Sequence, residues 1–507
     1  MKNYIKYMAL SAVLLTACEA ELDNPIEDGG VYSSGSADFS NYVAVGNSLT
    51  SGYADGALYI TGQQNSFPNI LAGQFALAGG GEFTQPLVDD NTGGLLANGT
   101  QIQPNRFVLK VTDTTLTIGG VQKDTTLVGP ARLRAVATTD IANGLEGSFN
   151  NMGVPGAKSF HLVAPGYGNI AGVLTGASNP YFVRFASAAD ATIIGDAAAQ
   201  SPSFFSLWIG NNDILSYATS GGTGVDRTGN LDPSSYGPND ITDPNVFASV
   251  YSQEVQALAA SASGGVVFNI PDVTSIPFFT TVPYNAIPLD AATAAGVNQA
   301  YAQYNGGLAQ YAALGFITPE ERDARTINFQ EGQNAVVIED ENLTTLPNPA
   351  GGTLPNIRQA TPEDLIVLTA SSTLGTLADP SNPSSVIGVG VPLGDADVLI
   401  PEEQAAVVAA QTSYNATIQA VAQANGLAFV DARAILNQLA SGGISYDAGT
   451  LTSTFATGGA FSLDGVHPTP RGYAYLANQA IAEINEMYGS NIPTVNIGSY
   501  GTVNISN

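Results

Sequence analysis

One serine near the start of the chain and a histidine–aspartate pair near its end have the residue types needed for acyl transfer. Ser48 follows the apolar segment Tyr42–Val45, and Asp464 and His467 stand three positions apart. A serine needs a base to attack a carbonyl carbon, and that base needs an acid on its other ring nitrogen. The 507-residue chain has two histidines, so the base is either His467 or His161.

Each of these residues also has an ordinary structural explanation. A serine in a Gly-x-Ser turn often serves only the turn. His467 stands on a loop before a helix and can cap it, whereas His161 can pack in the core, lie on the surface or line a substrate cleft. Only the combination of these residues with further motifs indicates a catalytic site.

Four motifs supply that combination. They are Gly46-Asn47-Ser48-Leu49, Asn151-Met152-Gly153-Val154-Pro155-Gly156-Ala157, Trp208-Ile209-Gly210-Asn211-Asn212-Asp213 and Asp464-Gly465-Val466-His467-Pro468. In this order they resemble blocks I, II, III and V of the SGNH/GDSL hydrolases, and the matched core extends from about residue 40 to 488. The segment Asn269–Pro277 also resembles the Asn-x-Pro segment of the lipolytic-esterase branch, although a strand end with a proline turn explains it equally well.

The resemblance implies a role for each site residue. Ser48 would be the nucleophile, His467 the base and Asp464 the acid that orients the base. The amides of Ser48 and Gly153 and the side chain of Asn212 would form the oxyanion hole. This mechanism requires no cofactor and no metal.

Three further positions in the motifs deserve separate interpretations. The family's usual aspartate before the serine is Asn47 here, which keeps hydrogen-bonding capacity but has no charge. We interpret Asp213 as an acid that hydrogen bonds a loop and Trp208 as a core aromatic residue.

A cluster of acidic residues late in the chain raises the question of calcium. It consists of Asp395, Asp397, Glu402 and Glu403. Their spacing matches no complete calcium loop, so the start of a helix at Pro401 is the better explanation. Two distant histidines also disfavour a zinc site.

The composition limits the classes of partner. The chain carries 15 basic and 43 acidic residues, for a net charge of −28. Such a surface repels phosphate backbones, so nucleic-acid binding is not expected. Solubility or life in salty water explains the acidity, and a cationic partner is the alternative.

The N-terminal residues have the features of an export signal. Lys2 and Lys6 precede the short apolar segment Tyr7–Leu15. Residues 15–18 then resemble the bacterial lipoprotein box, which implies cleavage after residue 17 and acylation of Cys18, the only cysteine. The alternative is an ordinary free or buried cysteine. We expect a protein anchored by lipid in the bacterial cell envelope, in the outer membrane.

The site residues must be positioned by the elements between them. Apolar segments at Tyr42–Val45, Phe204–Ile209, Val266–Ile270 and Leu427–Val430 predict buried strands, and helices are predicted from about residues 244, 401 and 470. This alternation predicts an α/β fold with a central parallel sheet covered on both faces. The resemblance to the SGNH/GDSL hydrolases implies a three-layer α/β/α architecture similar to flavodoxin. Ligands of such folds bind at the carboxyl ends of the strands.

The predicted organisation is a single catalytic domain with additions. Residues 18–38 form an acidic tether, 39–489 the hydrolase domain and 490–507 a C-terminal tail. Insertions are expected at about 81–150, as a β-hairpin region, and at about 274–400, with one helix at about 289–314. We expect both insertions to form walls or lids near the cleft.

The function expected from these features is hydrolysis of carboxylic esters outside the cytoplasm by an esterase or lipase. An apolar contact for the acyl group is expected from Ile276–Phe279. The alternatives are a carbohydrate O-deacetylase on the same fold and a non-catalytic, lipid-anchored binding protein.

Overall fold

A five-stranded parallel sheet forms the centre of the protein. The computed structural model describes residues 31–118, 121–348, 351–503 and 505–506. The strands are β1 (Tyr42–Gly46), β2 (Asn151–Gly153), β3 (Phe204–Trp208), β4 (Gly264–Phe268) and β5 (Ala428–Val430). Their order in the sheet is β5-β4-β3-β1-β2, and every neighbouring pair is parallel. The predicted α/β class with a central parallel sheet is therefore confirmed.

Helices follow the strands along the chain. They are α1 (Ser48–Ser51), α2 (Ile60–Gln64), α3 (Phe67–Phe75), α4 (Ile193–Ala199), α5 (Asn212–Thr219), α6 (Pro244–Ala259), α7 (Pro277–Thr280), α8 (Ala291–Ala313), α9 (Pro319–Arg325), α10 (Pro401–Asn425), α11 (Ala432–Ser441) and α12 (Pro470–Tyr488). Short 3₁₀ helices span Ala76–Ala78, Ser159–His161, Ile170–Thr175, Phe182–Arg184, Pro233–Ser235, Val273–Ser275, Leu368–Ser372, Asp395–Asp397 and Ile497–Ser499.

The helices begin where the sequence predicts them, at Pro244, Pro401 and Pro470. Polar side chains cap the first two of these starts. Asp243 accepts a hydrogen bond from the N–H of Asn245 at 2.7 Å, at the start of α6. Glu403 accepts one from the N–H of Ile400 at 2.9 Å, at the start of α10. Each carboxylate satisfies an N–H that has no partner within its helix. The acidic residue Glu403 thus serves a helix start, as expected.

Both faces of the sheet are covered. All five residues of β3 are buried, and successive side chains of a strand point to opposite faces. On one face, Phe67 of α3 lies against Trp208, and Tyr488 of α12 lies against Phe204. Helices α4, α6 and α10 pack on the other face. This arrangement explains the nearly continuous apolar sequence of the strands.

Both predicted insertions contain antiparallel strands. In the first, Gly93–Ala97 pairs with Thr100–Asn105 and Phe107–Ile118 pairs with Val121–Arg132. In the second, the predicted helix is α8, but two short helices (α7 and α9) and further strand pairs accompany it. These pairs are Ile287–Leu289 with Gly332–Asn334, Val337–Glu339 with Ile357–Gln359, and Leu365–Ile366 with Val398–Leu399. A last hairpin joins Ile444–Tyr446 to Gly449–Leu451.

The two ends of the described chain lie on the folded domain. The N–H of Ser36 donates to the carbonyl of Tyr488 at 2.9 Å, and Ala37 is buried. Ile505–Ser506 runs parallel to Phe107–Ile118. The last residues of the expected tether are thus part of the fold. The expected signal segment 1–17 and Cys18 lie outside the described residues, among which no helix has the length and apolarity to cross a membrane.

Candidate active site

The structure brings Ser48, His467 and Asp464 together at the carboxyl edge of the sheet. Ser48 is the first residue of α1 and is separated from β1 by Asn47 alone, and the other two lie in the loop before α12. Ser48 Oγ is 2.8 Å from His467 Nε2, although 419 positions separate the residues. His467 Nδ1 is 2.9 Å from Asp464 Oδ2. The three side chains therefore form one continuous hydrogen-bonded chain.

The carboxylate of Asp464 is held by five hydrogen bonds. Oδ1 accepts from the hydroxyl of Ser462 and from the N–H groups of Val466 and His467. Oδ2 accepts from His467 Nδ1 and from the N–H of Gly56. Burial alone raises the pKa of Asp464, but His467 and these hydrogen bonds outweigh it and lower that pKa to about 2. The acid is thus ionised and fixed beside the imidazole.

A turn at Asp55 and Gly56 positions this acid. Sequence analysis did not identify this turn as part of the site. The N–H of Asp55 donates to Ser462 Oγ at 2.8 Å, and Asp55 Oδ1 accepts from the N–H of Leu463 at 3.0 Å. Asp55 has a φ of 53° and is buried. The Asp-Gly dipeptide indicates a turn, but only the fold shows that the turn binds the loop that carries Asp464.

The imidazole ring is also packed on one side. The centroids of the Tyr53 and His467 rings are 4.7 Å apart. The hydroxyl of Tyr473, in α12, donates to the carbonyl of Tyr53 at 2.8 Å. This contact ties the segment after α1 to the helix after the His467 loop, so the ring has support from both chain regions.

Asn47 fixes the turn that presents Ser48. Its Oδ1 accepts from the N–H of Leu49 at 3.0 Å, and its Nδ2 donates to Asn211 Oδ1 at 3.1 Å. The Asn47 amide therefore uses both its acceptor oxygen and its donor nitrogen. An ionised aspartate could only accept hydrogen bonds, so it could not make the bond to Asn211. Within the described part of the chain, the N–H of Ser48 has no hydrogen-bond partner, so it remains available to a ligand.

The structure contradicts the expected role of Gly153 in the oxyanion hole. Its N–H donates to Asn151 Oδ1 at 3.0 Å, in the buried interior. A Cβ at Gly153 would lie 2.3 Å from the backbone nitrogen of Ser51. Gly153 is therefore required for close packing of β2 against α1, and its amide is not available to a substrate.

Gly156, three residues later, has the properties expected of the missing donor. It is exposed, with a φ of +81°, and its N–H has no partner among the residues that the structure describes. The next residue, Ala157, accepts a hydrogen bond through its carbonyl from Asn212 Nδ2 at 2.9 Å. This bond brings the Gly156 loop to the side chain of Asn212, the other predicted donor.

The remaining candidates have structural roles. His161 Nδ1 accepts from the N–H of Lys158 at 3.1 Å, and its ring stacks on Tyr167 at 4.4 Å. Burial, together with Lys158, lowers the pKa of His161 to about 3, so the ring is neutral. Asp213 accepts from the N–H and hydroxyl of Ser159, and Trp208 is buried. The base candidate is therefore His467, and the interpretations of Asp213 and Trp208 are correct.

Comparison with known proteins gives little further information. No protein-family model matches the chain, and no curated protein sequence matches it. Among solved structures, it is similar to LAE5, an alpha/beta hydrolase enzyme from the metagenome of Lake Arreo, Spain. The identity is 11%, the match covers 89% of this chain and 97% of that chain, and the TM-score is 0.29. At that score the similarity has no bearing on function.

Two cavities open beside the triad. The first, the apolar chamber, reaches Ser48 and has a cavity volume of about 100 Å³. Its apolar walls include Ile435, Leu436, Leu439, Ile444, Leu451 and Leu476. The second, the open cleft, has a cavity volume of about 1460 Å³ and reaches His467 and Asp464. Residues of both insertions line the cleft, among them Phe107, Arg132, Ile287 and Leu374.

The expected acyl contact at Ile276–Phe279 is only partly where it was predicted. Ile276 lines the apolar chamber, whereas Phe278 lines the open cleft. Phe279 is 2% exposed and belongs to the core. The helical turn of α7 divides these side chains, because adjacent residues of a helix point in different directions.

Proposed function

We propose that this protein is a serine hydrolase that cleaves carboxylic esters through an acyl-enzyme on Ser48. The observation that carries the proposal is the hydrogen-bonded chain from Ser48 Oγ through His467 to Asp464. The resemblance of the four motifs to SGNH/GDSL hydrolases supports the same conclusion independently.

The first step is the attack of Ser48 on the ester carbonyl. With the imidazole proton on Nδ1, His467 Nε2 accepts the hydroxyl proton as Ser48 Oγ bonds to the carbonyl carbon. The carbonyl π electrons move to the oxygen. The ionised Asp464 stabilises the imidazolium that forms, and its five hydrogen bonds keep it in place during this step.

The negative oxygen of this intermediate needs hydrogen-bond donors. The N–H groups of Ser48 and Gly156 and the Nδ2 of Asn212 are the donors that we assign to it. Their support is the absence of a protein partner for either N–H in the described chain and the Asn212–Ala157 hydrogen bond beside Gly156. Each donor of this kind typically lowers the barrier by about 2.7–4 kcal/mol.

The intermediate then collapses and the enzyme is regenerated. The bond from carbon to the alcohol oxygen breaks, and His467 Nε2 donates its proton to that oxygen. Water next attacks the acyl-enzyme while His467 accepts its proton. The second intermediate releases the carboxylic acid and restores the Ser48 hydroxyl.

Hydrolysis assays with and without the serine test this proposal. We expect the purified protein to hydrolyse p-nitrophenyl esters and the Ser48→Ala variant to lose at least about 10³-fold in kcat. Ser252→Ala is the matched control, since that hydroxyl lies on an exposed face of α6 and bonds only within its helix. Activity that survives in Ser48→Ala, or is absent toward every ester, would reject the function.

We also propose that Cys18 is acylated and anchors the protein in the bacterial envelope. The support is the sequence of residues 15–18 after a short apolar segment. Metabolic labelling with radioactive palmitate should mark the expressed full chain. The Cys18→Ser variant should be unlabelled, and equal labelling of both proteins would refute the anchor.

A further inference from the structure

The two cavities beside the triad share a wall. Leu215, Val466 and His467 line both of them. Ser48 and Asn212 line only the apolar chamber, whereas Asp464 lines only the open cleft. A substrate that reacts at Ser48 therefore has two distinct spaces available, and both of them contact His467.

The walls of the apolar chamber suit an alkyl chain. Helix α11 contributes Leu436 and Leu439, which are 5% and 7% exposed, and the last hairpin contributes Ile444 and Leu451. The Nε1 of Trp208, which also lines the chamber, donates to the carbonyl of Asn269 and is not free for a ligand. An aliphatic group gains free energy by leaving water for such a space.

Helix α11 forms one wall of the chamber. Asn269 Nδ2 donates to Asp431 Oδ1 at 2.8 Å, and its Oδ1 accepts from the N–H of Arg433 at 3.0 Å. These bonds hold the start of α11 at the carboxyl edge of the sheet, where Ser48 lies. From Ala432 to Leu439, both of which line the chamber, the helix advances about 10 Å, so its part of the wall is about two turns long.

The open cleft is the space that remains for the alcohol once the acyl chain occupies the chamber. His467 Nε2 must protonate the departing alcohol oxygen, and His467 lines the cleft as well as the chamber. The cleft is the larger of the two cavities, and its walls include polar groups such as Gln103, Thr369 and Arg132. A bulky alcohol fits the open cleft. The alkyl chain of the acid does not need this space, because the chamber holds it.

We infer that the substrate is an ester of a medium- or long-chain aliphatic acid, with its acyl chain in the apolar chamber and its alcohol in the open cleft. This inference rests on the proposed ester hydrolysis and adds the class of acid to it. Acetyl groups would leave the chamber mostly empty. The preferred acid is therefore longer than acetate.

An acyl-length series on one alcohol tests the inference. With p-nitrophenyl acetate, butyrate, octanoate and dodecanoate, kcat/KM should rise by about fourfold for each buried methylene until the chamber is full. Ile435→Trp should lower the value for octanoate by at least about tenfold and leave acetate within about twofold. Gln438→Trp, on the exposed side of α11, should change neither. A flat series, or a tenfold preference for acetylated glycans, would overturn the inference while leaving ester hydrolysis intact.

A binding measurement separates the chamber from the chemistry. In calorimetry, Ser48→Ala should bind decanoate but not acetate, and adding Ile435→Trp should weaken decanoate binding by at least tenfold. This result would support the chamber even for a protein that cleaves no ester. Equal decanoate affinity in the two variants, or no binding in either, would refute it.

Discussion

The N–H of Gly56 donates a hydrogen bond to Asp464 Oδ2 at 2.8 Å, across 408 positions of the chain. The same oxygen accepts the Nδ1 of His467. The turn that follows the nucleophile therefore also holds the acid of the proposed triad. The segment that follows Ser48 thus contacts the loop that carries Asp464, although the two residues come from opposite ends of the sequence.

Removing the charge of Asp464 should nearly abolish hydrolysis. Asp464→Asn keeps the size of the side chain but cannot stabilise the imidazolium, and it disturbs the tautomer of His467. We expect kcat to fall by about 10³- to 10⁴-fold with an unchanged circular dichroism spectrum. Asp447→Asn, at an exposed position, is the control. A loss below tenfold in Asp464→Asn would contradict the role of this acid.

The donor side chain of Asn212 should act on the transition state. In Asn212→Ala we expect kcat to fall by about 10²- to 10³-fold while KM changes little, since the donor serves the oxyanion and not the bound ester. Steady-state kinetics on one ester measures both constants. A rise in KM with normal kcat would instead assign Asn212 to ground-state binding.

Asp55 is predicted to be a positioning residue. Asp55→Ala removes the acceptor for the N–H of Leu463 and places alanine at a φ of 53°. We expect about a 10- to 100-fold loss in kcat. Asp55→Asn keeps an acceptor and tolerates this backbone conformation, so it should stay within about fivefold of the wild type. Equal loss in both variants would show that the charge matters and not the acceptor.

Glu254 should make the protein less stable as the pH rises. Its carboxyl is fully buried in α6 and its oxygens have no partner within the described structure. Burial, and secondarily the charge of Asp213, raises the pKa of Glu254 well above its ordinary value. The folded state therefore keeps a proton that the unfolded chain releases above about pH 4.5.

Glu254→Gln replaces the titratable carboxyl with a neutral amide, so folding at this position no longer depends on binding a proton. Relative to the wild type, the variant should gain more than about 1 kcal/mol in the free energy of unfolding at pH 8 and almost nothing at pH 4. Urea unfolding at both pH values measures the difference, with Glu486→Gln on an exposed position of α12 as control. A gain that is the same at both pH values would contradict the buried ionisation.

Most of the fold could be predicted because the central strands are buried on both faces. β1, β3 and β4 appear in the sequence as short apolar segments that end in glycine, proline or a polar residue. β2 was not predicted, since its three residues, including Asn151, form no apolar segment. Only its pairing with β1, from Ala44 with Asn151 to Gly46 with Gly153, makes it a strand.

The catalytic base could be predicted because histidine is scarce in this chain. The oxyanion-hole donor could not, because its availability depends on the hydrogen bonds of backbone N–H groups. Two histidines left few choices for the base. The segment Asn151–Ala157 has two glycines, and no sequence pattern reveals that the Asn151 side chain occupies the N–H of Gly153. The apolar chamber was also beyond prediction, because its walls come from α11 and the last hairpin, where apolar residues equally indicate core.

Covalent labelling of the serine tests the central claim most directly. A fluorophosphonate probe reacts with a serine only when a neighbouring base activates its hydroxyl. Mass spectrometry of the labelled, digested protein should find one adduct per chain, on Ser48, and none in Ser48→Ala. An unlabelled wild-type protein, or equal labelling of Ser48→Ala, would contradict the proposal that Ser48, His467 and Asp464 form a catalytic triad.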